Sequence, residues 1–137
     1  MFVLFVVLDQ PEYLPDVLYK LKKLRIRGAT VIDSMGATLA KEIYKVPIFG
    51  SFMKSMDGDT HSNKTIFSVI EREEQVEEAM ASIEEIIGGD ITQPNKGIMF
   101  VLPVSHMRGG ELNRHIISRD TKLRIAAEEA GHGSEQG

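Results

Sequence analysis

The sequence predicts an α+β sandwich, two helices laid over one face of a four-stranded antiparallel sheet. Three observations predict it. Four short apolar segments have strand character, two stripes of helical period lie inside the first and second strand pairs, and a long polar break separates the two halves. The order is therefore βαβ, connection, βαβ, followed by a tail.

Phe2-Val-Leu-Phe-Val-Val-Leu8 is a continuous run rich in β-branched and aromatic residues, which reads as a strand buried on both faces. From Glu12 the period changes. Leu14, Val17, Leu18, Leu21 and Leu24 recur at three- and four-residue steps and share one helical face. Pro11 and Pro15 suit the opening turn, where a missing N–H costs nothing, and Gly28 supplies the stop. Residues 29–35 form a second strand centred on Thr30, Val31 and Ile32. Residues 36–63, with Pro47, Gly50, Gly58 and a polar stretch from Asp57, form a connection longer than compact domains usually carry.

Residues 64–71 form the third strand through Ile66, Phe67, Val69 and Ile70. Val76, Ala79, Met80, Ile83, Ile86 and Ile87 form the second helical stripe, ended by Gly88 and Gly89. Ile98-Met-Phe-Val-Leu102 is the fourth strand, with Pro103 at its end. Two such halves side by side make a ferredoxin-like sandwich. Its second sheet face has no helix to cover it, and a bare apolar face favours self-association. The first helix ends in Lys20, Lys22, Lys23, Arg25 and Arg27, whereas the second carries Glu73, Glu74, Glu77, Glu78, Glu84 and Glu85. Rim ion pairs between the helices and two solvated faces are both open readings.

At 137 residues the chain fits one domain. We expect a body over residues 1–111 and a C-terminal helical extension over 112–137, in which Leu112, Ile116, Ile117, Leu123 and Ile125 make a weak helical pattern before a disordered end. The absence of cysteine excludes disulfides, thiolate metal sites and cysteine nucleophiles. The apolar start is too short for a membrane span and lacks a basic segment before it, so cytoplasm is the default. A formal net charge of −4 gives no broad attraction to nucleic acid. His61, His106, His115 and His132 lack metal-ligand spacing, and Ser105-His106 lacks a placed acid, so neither a metal site nor a catalytic set is expected.

At Arg27-Gly-Ala-Thr-Val-Ile-Asp-Ser-Met-Gly36, at Gly97-Ile-Met-Phe-Val-Leu-Pro-Val104 and at Arg108-Gly-Gly-Glu111 the chain resembles the PII nitrogen-regulatory superfamily. The resemblance covers residues 2–111. It implies a non-enzymatic signalling protein, a homotrimer whose sheets line a central barrel, with effectors in clefts between subunits. The implied effector is an adenine nucleotide (ATP, ADP or AMP). Carried over by position, Thr30 and Gly36 would lie at the adenine side, Asn95, Lys96 and Gly97 would form the phosphate-side turn, and Arg108 would reach the phosphates. The long loop would control a protein partner, with a membrane transporter as one candidate.

The chain also departs from that pattern. Gly36-Ala-Thr-Leu-Ala40 replaces a glycine-rich run with arginine and glutamine, so Leu39 and Ala40 cannot hold magnesium–ATP with 2-oxoglutarate as PII proper does. Ile98 stands where the family has lysine, and Tyr44 lacks the family's modification pattern. The loop instead holds Val46, Ile48, Phe49, Phe52 and Met53, apolar residues suited either to a partner or to packing on their own subunit. The alternatives on this fold are a CutA-like metal-handling protein, whose loop is short, and a nucleotide-processing enzyme.

Overall fold

The computed structural model describes residues 1–37 and 62–135, with side chains through Gly131. Two compact units divide the chain, Met1–Val104 and Ser105–Gly137. The first contains β1 (Phe2–Leu8), a 3₁₀ turn (Pro11–Tyr13), α1 (Leu14–Lys23), β2 (Thr30–Met35), β3 (Ser62–Ile70), α2 (Glu73–Ile86) and β4 (Gly97–Pro103). The second contains α3 (Gly110–Glu135). The sheet runs β2-β3-β1-β4 with every neighbour antiparallel, the ferredoxin-like order the sequence predicts.

Strand alternation divides the sheet into two unlike faces. One face buries Leu4, Val6 and Leu8 from β1 and Ile66 and Ile70 from β3 beneath Val17 and Leu21 of α1 and Val76, Ala79 and Ile83 of α2. The other carries Val3, Phe5 and Val7, which stay half-buried in the single chain, so β1 is enclosed on one face only rather than on both. The Phe5 ring stacks on Phe100 at 5.0 Å and tilts against Phe67 at 5.7 Å. Around this aromatic row, Ile32 (47%), Ile98 (55%), Phe100 (40%) and Leu102 (49%) are exposed. That is an apolar patch of the kind soluble surfaces avoid.

Helix ends follow local geometry more than glycine position. α1 stops before Gly28, because Arg25 itself takes the left-handed conformation (φ 60°). Arg25 N–H donates to Lys22 O and Ile26 N–H to Leu21 O, both at 3.0 Å, and Ile26 and Leu21 are buried in the core. This is the Schellman pattern with its apolar contact. α2 ends in the same way at the expected glycines, Gly88 N–H donating to Glu85 O at 3.1 Å and Gly89 N–H to Glu84 O at 2.8 Å.

The third strand starts two residues before the expected position. Ser62 pairs with Met35 and Asn63 with Ser34, so part of the polar stretch is ladder rather than loop. The Ser34 hydroxyl donates to the side-chain carbonyl of Asn63 at 2.6 Å and shares a hydrogen bond with the Thr65 hydroxyl at 2.7 Å. Lys64 pairs with Asp33 beside them.

Among the described residues, Lys20, Lys22, Lys23 and Arg25 form no ion pair with the glutamates of α2, and the Lys23 ammonium lies 5.4 Å from the Tyr19 ring centre. The helix faces are solvated, and apolar contact holds the helices together. α3 extends past Ala130 to Glu135, since backbone hydrogen bonding continues there without an apolar stripe to announce it. Ile83 is fully buried between helices and sheet. Ile83→Ala is expected to lower stability by about 2–5 kcal/mol in urea unfolding, through lost burial and the cavity left behind.

Candidate functional site

Register brings several of the sequence-predicted residues to one end of the sheet. Asp33, Lys64, Leu8 and Gly97 form a row across all four strands. Gly36 follows β2 just beyond this row, and Asn95 and Lys96 lead into β4 at the same end. Thr30 is not brought there. It lies opposite Phe67 in the aromatic row, exposed on the open face. Arg108 is exposed in the second unit, where Gly109 N–H donates to Asn113 Oδ1 at 3.0 Å. Leu39, Ala40, Tyr44, Val46, Ile48, Phe49, Phe52 and Met53 lie outside the described residues.

The turn at 95–97 is tightly specified. Asn95 (φ 63°) and Gly97 (φ 120°) both occupy the left-handed region, which asparagine tolerates and glycine enters freely. At Gly97 a side chain is excluded outright, since a Cβ would stand 1.9 Å from the Val7 carbonyl oxygen. Asp9 N–H reaches Lys96 O at 3.5 Å, tying the turn to the end of β1.

Lys96 makes a contact that its residue type alone does not reveal. Its ammonium donates to Ile87 O at 2.8 Å, capping one of the carbonyls left open at the C-terminal end of α2. A cation there also meets the negative end of the helix dipole. The intervening loop is internally bonded. Ile91 N–H donates to Glu84 Oε1 at 3.3 Å, and the Asp90 carboxylate accepts from Thr92 N–H at 2.9 Å, from the Thr92 hydroxyl and from Gln93 Nε2 at 3.1 Å. The side-chain hydrogen bonds of Thr92 and Gln93, with Thr92 N–H, hold the Asp90 carboxyl below its ordinary value.

Sequence reasoning missed an open groove beside this turn, about 400 Å³ in volume, between α2 and β4. Met80, Ile91, Ile98 and Met99 make its apolar lining, and Glu77 and Glu84 flank it. Only the pairing of α2 with the β4 edge creates it, so no local pattern could have announced it. Ser105 Oγ lies 2.9 Å from His106 Nδ1, an adjacent pair with no acid joined to it by a described hydrogen bond. Among the described residues no group of three or more His, Asp or Glu side chains could hold a metal ion, and no helix is long and apolar enough to cross a membrane.

No family model and no curated protein matches the chain. Among solved structures it is similar to Arabidopsis thaliana PII bound to citrate, with 26% identity over 80% of this chain and 85% of that one, at a TM-score of 0.50.

Gly97→Ala combines a left-handed φ with collision against backbone. It is expected to cost about 2–4 kcal/mol in urea unfolding. Gly109→Ala, which meets no neighbour within 4 Å, should pay only the cost of its positive φ.

Proposed function

We propose, from the PII-like fold this chain has, that it is a regulatory protein whose copies form a trimer and bind a small anionic effector in clefts between subunits. The effector we propose is an adenine nucleotide, ATP, ADP or AMP. One observation carries this reading. Gly36 and the 95–97 turn sit at the same end of the sheet but on opposite edges, β2 and β4. Three strand spacings of about 4.8 Å separate those edges by about 14 Å. A ligand that uses both sets of residues is therefore better served by two neighbouring copies, the β2 edge of one beside the β4 edge of the next.

The open sheet face supports the assembly. Phe5, Phe67 and Phe100 with Ile32, Ile98 and Leu102 form one continuous apolar surface, and burying it against other copies removes the patch from water. The left-handed turn supports anion binding, because its backbone N–H groups can approach oxygens closely. Lys96 and Arg108 add positive charge, and Thr30, which lies in the aromatic row, is not part of this cleft. Citrate, bound by the Arabidopsis protein, shares the polyanionic character of nucleotide phosphates.

Residues 1–111 form the regulatory domain in this reading, with 112–137 as an extension, and the protein acts in the cytoplasm. The loop after β2, through Val46, Ile48, Phe49, Phe52 and Met53, addresses a partner protein, a membrane transporter being the class we favour. Control follows if effector binding favours one loop state and the partner discriminates between the states. The protein's role is then binding rather than turnover.

Calorimetry with ATP, ADP, AMP and citrate tests the effector. Binding by an adenine nucleotide is expected, weakened about tenfold to a hundredfold by Arg108→Ala, as loss of a charge-assisted hydrogen bond implies. No heat from any of the four, with trimers intact by light scattering, removes nucleotide sensing. Phe100→Asp is expected to reduce the mass in light scattering to that of one chain, and an unchanged assembly would remove the sheet face as the interface.

A further inference from the structure

On its open face the sheet ends in a polar pair, at the same end as Gly36 and the 95–97 turn. The last apolar row across the strands holds Ile98, Val7 and Ile32, with Thr65 between Val7 and Ile32. Beyond it Ser34 stands opposite Asn63, and strand alternation keeps both on that same face. Gly36 follows Ser34 by two residues. A Cβ built on Gly36 would meet Asn63 Nδ2 at 3.9 Å and no other atom within 4 Å, so the nitrogen end of the amide lies beside the glycine.

A chain of hydrogen bonds fixes that amide. The Ser34 hydroxyl donates to Asn63 Oδ1 at 2.6 Å. Its one proton being given there, Ser34 accepts from Thr65 in the 2.7 Å bond that the two hydroxyls share. All three residues are half-buried. Oδ1 is thus engaged, whereas Nδ2 carries two donors that no described hydrogen bond uses. Bonds aligned in one direction polarise one another and strengthen the donors at the end of the chain.

The surroundings decide what those donors serve. Lys64, next to Asn63 in β3, alternates to the other face and is paired with Asp33. A neutral donor with its neighbouring cation turned away suits an uncharged acceptor. Phosphate oxygens are better met at the opposite edge, where Lys96 stands in the left-handed turn. Thr30, which the resemblance places at the base side, lies opposite Phe67, four residues or about 13 Å along β3 from Asn63. Asn63 occupies the position beside Gly36 instead.

On the adenine-nucleotide reading, on which this rests, we propose that Asn63, positioned by Ser34 and Thr65, recognises the base of the effector, its Nδ2 donating to a ring nitrogen of adenine at the Gly36 edge. Because Ser34 takes Oδ1, the amide offers donors only. It therefore selects a ring edge that presents an acceptor.

Calorimetry of the full-length protein with ATP, and with inorganic triphosphate, which has phosphate oxygens but no base, tests the assignment. Asn63→Leu keeps the shape of the side chain and removes its donors. It is expected to weaken ATP binding about tenfold, the worth of one hydrogen bond, and to leave triphosphate as in the wild type. Ser34→Ala, which frees the amide without deleting it, should weaken ATP by a smaller factor, and Thr30→Val should leave ATP binding unchanged. If Asn63→Leu alters the mass in light scattering, Ser34→Ala decides, and wild-type ATP affinity in it overturns the proposal. Unchanged ATP affinity in an intact Asn63→Leu protein overturns the proposal and spares the nucleotide reading. So does an equal loss of triphosphate binding, or a Thr30→Val effect larger than that of Asn63→Leu. A wild-type protein that binds no adenine nucleotide removes both.

Discussion

Every arrangement in the body depends on β1 being apolar along its whole length while holding an inner place in the sheet. It pairs with β3 on one side and β4 on the other, so its side chains must go to both faces. The helices can enclose only one of them. Leu4, Val6 and Leu8 go beneath α1 and α2, and Val3, Phe5 and Val7 are left half-buried on a face that no described element of residues 1–104 covers fully. Free energy gained by enclosing the first face leaves the second exposed to water, and that imbalance makes a solitary copy a poor end state.

The two edges of the sheet are not equivalent. β2 carries Asp33, paired with Lys64, and a hydroxyl cluster at its far end. Charge and local side-chain bonding of this kind discourage random strand addition. β4 has no charged residue from Gly97 to Pro103, and an acidic groove rather than a lysine guards its flank. Unlike edges specify direction, because a partner suited to one does not suit the other.

The strands, the helices and their order were legible because burial imposes a period on the sequence. Leu14 to Leu24 and Val76 to Ile87 announce their inward faces, and the continuous run Phe2–Leu8 announces a strand, though one buried on a single face and not on both. What escaped was set by contacts between distant segments. Ser62 and Asn63 look like loop residues until Met35 and Ser34 arrive to pair with them. Gly28 looked like a helix stop, yet Arg25 performs it because Ile26 gains burial against Leu21. Of the candidate site, Gly36 and the 95–97 turn fell at one end of the sheet, whereas Thr30 fell in the aromatic row because strand register, invisible in one strand alone, sets its height.

The bond from Lys96 to the Ile87 carbonyl changes what that side chain has to offer. A free lysine must surrender roughly 1.5–2 kcal/mol of rotational freedom when a contact immobilises it. Lys96 has surrendered much of that already, to a helix end present in every folded copy. Its ammonium keeps two further N–H donors. An oxygen-rich ligand that reaches this turn meets a cation held in place beforehand, and less of its binding energy goes to restraining a flexible stem.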